Sequence, residues 1–459
     1  MIKQEIDLKQ EKTFEIRSKI FSSSAEITVT VENEKGDVSD KTEIVLREPD
    51  GKEQTSFIEK DENSVTFIIE RPFLWMSSEK KKQPLYEVTV NAIEDGNVIS
   101  SVTKKTGLCK IRSFKDKDGT CLRLNSAPFF IRGVYFSSSA LLTDNEELSS
   151  VFSACKKSGL NTFYITDGLS DKEEFYNFCD ETGFFVLSDN KSNITKDLLN
   201  HPCLSLLKED KLPEKIFIEN KPLAKESYYS YQVNLLEKTK KESDTLRIKG
   251  DAEKRALFYA FEDCFYKKEK YLPAPLIKSL KGLFEEIRVC AFGRKGKADI
   301  YITNDSAETF KGKLICFCSP FDAKEYVIFE KEIEVSPRSV SKITTLKSGN
   351  KRKEMLLMRL YDEEKYLVGE ERTSYCKNNK LKLLKSEIKI ETTVKNGNFY
   401  VSVGSDKYAR YVYLETESKA DFSENFFDLS PYGQKNLIAE NLCVTDEIKA
   451  VSYFFVKKF

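Results

Sequence analysis

The stretch Phe129-Phe130-Ile131-Arg132-Gly133-Val134-Tyr135-Phe136 gives the clearest indication of the fold class. Its residues are mostly apolar, which is typical of a strand buried on both faces of a parallel sheet. The pattern after it predicts a helix that ends at Gly159, a strand over 161–166, a second helix that ends at Gly183 and a strand over 184–187. This alternation of strands and helices indicates a parallel sheet or a (β/α) barrel.

The rest of this segment supplies fewer elements than a complete barrel needs. The sequence predicts further strands over 203–207, 215–218 and 256–261, and further helices over 227–242 and 275–287. The segment then has six strands in roughly 180 residues, whereas a complete barrel has eight strands in about 250 residues. We therefore predict a shortened, incomplete (β/α) TIM-type barrel over residues 108–287.

The segments on both sides of this barrel are rich in strand patterns. Residues 25–31 alternate with period two, as a half-buried strand does, and similar runs recur between turn residues such as Asp95-Gly96. Residues 1–107 are thus predicted to form an immunoglobulin-like β-sandwich. The same kind of pattern predicts two more immunoglobulin-like β-sandwiches, over 288–376 and 377–459.

Charge and composition argue against several classes of protein. Lys+Arg and Asp+Glu both number 74, so the net charge is zero, whereas nucleic-acid-binding domains usually carry a basic excess. No apolar run approaches the roughly 18 residues of a membrane span, and the first residues lack the apolar core of a secretory signal. We expect a cytoplasmic protein with no nucleic-acid partner and no membrane association.

The chain has one histidine, His201, and eleven cysteines. Ser-His-Asp or Cys-His catalysis would have to use this one imidazole, and a zinc site with two or three imidazoles cannot form. The cysteines are odd in number and scattered, and no Cys-x-x-Cys occurs. We expect reduced, mostly buried thiols, no disulfide, no metal and no cofactor.

Several short motifs resemble those of family-2 glycoside hydrolases, and they follow one another in the family's order. Residues 124–134 resemble the start of the catalytic barrel, and Pro72-Phe73-Leu74-Trp75 resembles a run in the family's immunoglobulin-like domain. Asn200-His201-Pro202 resembles the Asn-His-Pro before the fourth barrel strand. Phe422-Ser423-Glu424-Asn425-Phe426-Phe427-Asp428-Leu429 is similar to the last immunoglobulin-like domain of the β-mannosidase-like branch. The resemblance implies a carbohydrate partner, a β-mannoside or related glycan.

The chain also departs from the family pattern. Members begin with a sugar-binding jelly-roll domain, whereas the pattern here starts with the domain after it, so we expect the jelly-roll to be missing or supplied by a separately encoded subunit. Cys109 stands where the family has an arginine. The tryptophan that stacks on sugar in the last barrel strand is also absent, because Trp75 is the one tryptophan of the chain.

The resemblance places Glu219 at the position of the catalytic nucleophile, after the strand 215–218. The acid/base glutamate should follow His201 by about eleven residues, near Leu212, but no Asn-Glu pair occurs there and we find no acid/base residue. Glu209 and Asp210 are the nearest carboxylates, and exposed loop charges are the alternative interpretation. Retaining glycosidases need two carboxyl groups about 5–5.5 Å apart, so catalysis should be impaired.

The length of chain between these motifs is short as well. Glu219 follows His201 by 219 − 201 = 18 residues, an interval in which the family has further strands and helices. We therefore predict that barrel strands five and six are absent.

Five further residues are candidates for substrate binding at the carboxyl ends of the barrel strands. They are His201, Asp167, Asp189, Tyr135 and Tyr259. A structural role is the alternative for His201, and a place in the core is the alternative for the two tyrosines.

Three functions are compatible with these observations. The first is a β-mannosidase-like protein, a pseudoenzyme, that binds a carbohydrate or a protein partner. The second is an active retaining β-glycosidase that hydrolyses β-mannosides or related glycosides. The third is a purely structural interaction protein. The missing acid/base pair favours the first.

Overall fold

The computed structural model describes residues 13–32, 41–59, 62–77, 82–117, 119–137, 144–169, 172–188, 195, 197–204, 211–218, 228–267, 271–280, 282–396, 398–417, 420–443 and 445–453. The chain divides into two compact units. Unit 1 comprises Met1–Phe152, Asn161–Ile216 and Glu253–Phe258, and unit 2 comprises Ser153–Leu160, Phe217–Ala252 and Tyr259–Phe459. None of the described helices combines the length and the apolar character that a bilayer crossing requires.

The first part of unit 1 is an antiparallel β-sandwich, as predicted for an immunoglobulin-like domain. Its strands are β1 (Phe14–Ile20), β2 (Ser24–Val31), β3 (Lys41–Arg47), β4 (Glu53–Ile58), β5 (Ser64–Glu70), β6 (Tyr86–Glu94) and β7 (Asn97–Thr106). They form one sheet of order β1-β2-β5 and a second of order β4-β3-β6-β7. Alternate residues such as Ile27, Val29, Ile44 and Val88 are buried between the sheets, which explains the period-two pattern of the sequence.

A small sheet and a five-stranded sheet follow. The small sheet consists of β8 (Ile111–Asp116), β9 (Gly119–Leu124) and β10 (Ala127–Pro128). The central sheet has the order β13-β12-β11-β15-β14, from β11 (Ile131–Phe136), β12 (Thr162–Ile165), β13 (Phe185–Ser188), β14 (Glu214–Ile218) and β15 (Arg255–Ala260). The predicted parallel arrangement is confirmed for β11, β12 and β13. Several links between these strands lie outside the described residues, so the shortened barrel stays a prediction.

The helices of this region are α1 (Asn145–Lys157), α2 (Glu173–Thr182), α3 (Tyr228–Lys249), α4 (Phe261–Cys264) and α5 (Pro275–Ser279), with a hairpin of β16 (Phe265–Lys267) and β17 (Tyr271–Pro273). The Asp144 carboxylate accepts hydrogen bonds from the first backbone amides of α1. Gly183, with φ of 81°, ends α2 as predicted. Phe152 of α1 contacts Phe163 of β12 and Phe184, so aromatic side chains pack α1 against one face of the sheet.

Two predicted helices have different lengths in the structure. The helix expected over 227–242 extends to Lys249, and the charged residues near its middle are not simply solvated, because Lys240 is half-buried and pairs with Glu371. The helix expected over 275–287 ends at Ser279. Gly282 has a φ of 84° there, and Ile287 already pairs with Asn304 as a strand residue.

The C-terminal part of unit 2 contains two further antiparallel sandwiches, as predicted. The first has β18 (Ile287–Arg294), β19 (Lys297–Asn304), β20 (Phe310–Pro320), β21 (Tyr326–Val335), β22 (Ser339–Lys347), β23 (Glu354–Asp362) and β24 (Leu367–Ser374), in sheets β18-β19-β22 and β21-β20-β23-β24. The second has β25 (Ile388–Lys395), β26 (Asn398–Ser405), β27 (Ala409–Glu415), β28 (Asp421–Phe422), β29 (Phe427–Leu429), β30 (Gln434–Glu440) and β31 (Lys449–Val451), in sheets β25-β26-β30-β28 and β29-β27-β31. Each encloses its own apolar core. The domain boundaries at 107, 287 and 376 stay predictions.

All eleven cysteines are free thiols, and eight of them are buried. Burial raises the pKa of the thiols of Cys109 and Cys316 to about 12, so they stay protonated and unreactive near neutral pH. Cys443 is the one exposed cysteine.

We expect a chromogenic disulfide reagent at pH 8 to modify one thiol per native chain rapidly. The reactive species is the thiolate, which the buried cysteines neither form nor present to solvent. Cys443→Ser should remove the rapid phase, and unfolding in guanidinium should release all eleven thiols. Rapid modification of four or more thiols in the native protein would contradict the burial described here.

Candidate functional site

The carboxyl ends of β11 and β12 bring two polar side chains together. Ser137 follows β11, and Asp167 lies two residues after β12, its parallel neighbour. Ser137 Oγ donates a hydrogen bond of 2.6 Å to Asp167 Oδ2. Asp167 is exposed, as a residue that lines a cleft at this end would be. We refer to Tyr135, Ser137 and Asp167 as the carboxyl edge.

Tyr135 and Tyr164 are register partners on β11 and β12, so their side chains lie on the same face of the sheet. Phe136 follows Tyr135 on β11, and Phe163 precedes Tyr164 on β12. These two phenylalanines contact each other and the Phe175 ring of α2 on the helix-covered face. Tyr135 therefore faces away from the helices, into what would be the interior of a barrel. It is half-buried.

Tyr164 is buried and already in contact with other side chains. Its ring lies 5.0 Å from the Phe258 ring, and the Lys215 ammonium lies 4.5 Å from its centroid. Lys215 Nζ also donates a hydrogen bond of 3.2 Å to the Tyr164 hydroxyl. Of the two tyrosines, Tyr135 is thus the better placed to contact a ligand.

Tyr259 is completely buried in β15. Adjacent strand residues point to opposite faces, so Tyr259 points away from the side on which Phe258 contacts Tyr164. The structure therefore does not place Tyr259 with Tyr135 on one face of the sheet.

The predicted catalytic carboxylates lie outside the described residues. Glu219 directly follows the last residue of β14, Ile218, and Asp189 directly follows the last residue of β13, Ser188. Glu209 and Asp210 are also outside the described residues. Leu212, at the place expected for the acid/base residue, is described and is buried. A leucine side chain cannot transfer a proton.

His201 belongs to a buried cluster rather than to the carboxyl edge. Its Nδ1 atom lies 2.6 Å from Asp180 Oδ2, and the backbone amide of Cys203 donates to Asp180 Oδ1 at 3.0 Å. Trp75 Nε1 donates a hydrogen bond of 2.8 Å to the Asp180 carbonyl oxygen. The Tyr176 ring lies 5.4 Å from the imidazole. These contacts give His201 the structural environment that was the alternative interpretation.

The chain direction places this cluster at the other end of the sheet. Asp180 is in the last turn of α2, which returns from the carboxyl end of β12 to the start of β13. The chain past His201 joins β13 near the start of that strand, where Val186 bridges Leu204. Asp167 and His201 are thus at opposite ends of the central sheet, and the structure does not bring them together.

Asp180 was not among the predicted site residues, although the sequence carries a signal for it. It lies four residues after Tyr176 and one after Cys179, on the apolar face of α2. A carboxylate on a buried helix face needs hydrogen-bond donors, and here His201 and Cys203 supply them.

A polar cleft of about 220 Å³ borders this cluster and includes Lys105, Asn177 and Glu181. Lys105 Nζ lies 3.0 Å from Glu181 Oε1, and this hydrogen bond raises the pKa of Lys105. Burial raises the pKa of the Cys203 thiol well above its ordinary value, so it is not a nucleophile. No group of three or more His, Cys, Asp or Glu residues suited to a metal ion occurs in the described part of the chain.

Comparison with known proteins finds similarity to one family of enzymes in two segments of the chain. Residues 2–108 match the model for glycosyl hydrolases family 2, and residues 383–441 match the Ig-fold domain model of mannosidases. The two matched segments support a member of glycosyl hydrolase family 2. The chain is 29% identical over 124 residues to the exo-β-D-glucosaminidases of Arthroderma benhamiae and Hypocrea jecorina. The matched part is 14% of the length of each of these relatives.

Solved structures of the same fold cover nearly the whole chain. The β-D-mannosidase of Dictyoglomus thermophilum superposes with a TM-score of 0.75 at 15% identity, over 96% of this chain and 76% of the mannosidase. The exo-chitosanase of Amycolatopsis orientalis gives a TM-score of 0.69 at 12% identity, over 96% of this chain and 78% of the chitosanase. At these identities the likeness concerns the fold.

Proposed function

We propose that this chain is a member of glycosyl hydrolase family 2, a β-mannosidase-like protein that binds a carbohydrate at the carboxyl edge and hydrolyses it slowly or not at all. The observation that carries the proposal is the buried Leu212 at the place of the acid/base residue. Loss of general acid catalysis typically costs ~10²–10⁴-fold in rate. Glu219 alone, in the nucleophile's place, does not protonate a leaving group.

Carbohydrate binding is supported by the side chains of the carboxyl edge. Asp167 is an exposed hydrogen-bond acceptor oriented by Ser137, and Tyr135, two residues before Ser137, offers part of an aromatic ring. Sugar hydroxyls donate to carboxylates, and sugar rings pack their apolar faces on aromatic side chains. The carboxyl ends of parallel strands are also where barrel enzymes bind their substrates.

The names of the relatives suggest which sugars to test. The similar proteins are described as exo-β-D-glucosaminidases, a β-D-mannosidase and an exo-chitosanase. The proposed ligands are therefore β-linked mannosides and glucosaminides.

The test combines turnover with binding. We expect hydrolysis of aryl β-mannosides and aryl β-glucosaminides by the native protein to equal that of Glu219→Gln, because the sequence has no Asn-Glu pair where the acid/base residue is expected and the described residue there is Leu212. In calorimetry with β-linked manno- and glucosamino-oligosaccharides, Asp167→Asn should weaken binding about tenfold, the effect of one charged hydrogen bond.

Asp322→Asn, an exposed aspartate in unit 2, is the matched control and should bind like the native protein. Hydrolysis that Glu219→Gln abolishes would establish the active glycosidase instead. That second candidate is favoured by the coverage of the mannosidase fold over 96% of the chain. If neither sugar binding nor turnover is found, the third function, a purely structural interaction protein, would be the one supported.

The finer assignments belong to the same proposal. They are a barrel over residues 108–287 that lacks strands five and six, and a cytoplasmic location. A protein partner stays a prediction.

A further inference from the structure

A β-bulge in unit 2 directs a buried arginine toward a cleft. Ala409 and Val412 of β27 pair with Leu429 and Phe427 of β29, so two residues of β27, Arg410 and Tyr411, stand opposite one residue of β29. Tyr411 has a φ of 50°, an unfavourable conformation for an aromatic residue. Bulges of this kind change the direction of a side chain and are frequent next to functional sites.

Arg410 is buried but makes few close contacts. Its Nη1 atom lies 3.6 Å from Asp428 Oδ2 and its Nη2 atom 3.5 Å from Glu237 Oε1, whereas charge-assisted hydrogen bonds measure about 2.7–2.9 Å. Nη2 also donates to the Tyr411 hydroxyl at 3.0 Å. Nε has no hydrogen-bond partner among the described residues. A buried guanidinium N–H without an acceptor is costly, so an additional acceptor would be favourable here.

The neighbouring carboxylates are already used by other donors. Asp428 accepts hydrogen bonds from the Tyr411 amide at 2.9 Å and from the Tyr408 hydroxyl. Glu237 accepts from the Tyr411 hydroxyl at 2.9 Å. Both carboxylates thus make shorter contacts with these tyrosine donors than with Arg410, whose Nη1 atom also lies 3.6 Å from Met355 Sδ. A ligand oxygen in the cleft would give the guanidinium an additional acceptor.

Arg410 and Tyr411 line a cleft of about 240 Å³, which also includes Glu424 and Lys435. This is smaller than the roughly 300–1,000 Å³ of pockets for drug-sized ligands, so a single ring would fill it. Five Lys or Arg and five Asp or Glu residues line the cleft, and 5 − 5 leaves no net charge. Such a lining favours neither an anion nor a cation, but it offers both donors and acceptors.

We propose that this cleft binds an uncharged, polyhydroxylated ring of monosaccharide size, with Arg410 donating to a ligand oxygen and Glu424 accepting from a ligand hydroxyl. A sugar hydroxyl is both a donor and an acceptor, which matches the mixed lining. Glu424 is 44% exposed at the rim, where Lys435 lies 2.6 Å from it. This site consists of unit 2 residues and does not depend on the carboxyl edge.

The experiment is ligand-observed NMR and calorimetry on the full chain with D-mannose, D-glucose, D-galactose and N-acetyl-D-glucosamine, and with sodium acetate as a charged probe. We expect at least one sugar to bind and acetate not to bind. Arg410→Lys should weaken binding at this site at least tenfold, since it removes a charged hydrogen bond, and Glu424→Gln should weaken it several-fold. Asp322→Asn, which lies neither in this cleft nor at the carboxyl edge, is the control and should bind like the native protein.

Each outcome decides the proposal. Loss of one class of sugar site in both Arg410→Lys and Glu424→Gln supports it. Unchanged binding in both variants, acetate binding without sugar binding, or no sugar binding at all overturns it. If Arg410→Lys fails to fold, the rim variant Glu424→Gln gives the answer. Loss of binding in Asp167→Asn alone would retain the carboxyl edge as a site and overturn the one proposed here.

Discussion

Arg288→Met is expected to lower the free energy of unfolding by about 3–5 kcal/mol. Arg288 is buried in unit 2, with Nε 2.9 Å from Asp244 Oδ1 and Nη2 2.7 Å from Glu371 Oε2. Burial alone lowers the pKa of Arg288, but the two carboxylates raise it well above its ordinary value, so the side chain stays charged. Methionine would leave Asp244 and Glu371 buried without this cation.

Arg47→Met is the matched control, since Arg47 also pairs with a glutamate at 2.7 Å but is 56% exposed. Exposed pairs contribute about 0–1 kcal/mol, so the control should change stability little. Urea unfolding followed by far-ultraviolet circular dichroism measures both variants. Equal losses for Arg288→Met and Arg47→Met would show that burial does not strengthen the Arg288 contacts.

The elements that the sequence predicts well are those set by local patterns. The apolar run 129–136 and Gly183 fix where β11 lies and where α2 ends, because a buried strand and a left-handed helix end need those residue types. The strands of all three sandwiches, in both units, are likewise predictable, because each is marked by a period-two run of apolar residues.

The elements that the sequence does not predict depend on partners far along the chain. The charged composition of the run 238–241 favours exposure to solvent, yet Glu371, 131 residues after Lys240, accepts a hydrogen bond from Lys240. The helix expected over 275–287 ends at Ser279, because Ile287 belongs to β18 and pairs with Asn304 of β19. The bulge at Arg410 likewise follows from the register of β27 on β29, which no local pattern specifies.

The candidate site divides in the same way. The position of Asp167 after β12 was predictable, because the end of a strand is a local feature. The placement of His201 was not, because the sequence does not specify that Asp180 is its partner.

Asp180→Ala is expected to destabilise unit 1 by about 2–6 kcal/mol. Asp180 is buried, and a carboxylate only accepts hydrogen bonds, so His201 Nδ1 and the Cys203 amide both donate to it. Alanine would leave two buried donors without an acceptor, at a cost of about 1–3 kcal/mol each. Trp75 Nε1 donates to the Asp180 carbonyl oxygen, so the fluorescence of this one tryptophan reports unfolding at the site itself.

Two variants separate the role of the carboxylate from the role of the helix end. Asp180→Asn keeps an acceptor oxygen for the Cys203 amide, and its amide group can pair with the other tautomer of His201, so it should recover at least half of the loss. Glu181→Ala removes a neighbouring carboxylate whose pair with Lys105 is about half-exposed, and should cost at most about 1 kcal/mol. If Asp180→Asn were as unstable as Asp180→Ala, the negative charge rather than the hydrogen bonds would hold this cluster together. If Asp180→Ala were as stable as Glu181→Ala, the cluster would not stabilise the fold, and His201 would again be a candidate for contact with a ligand.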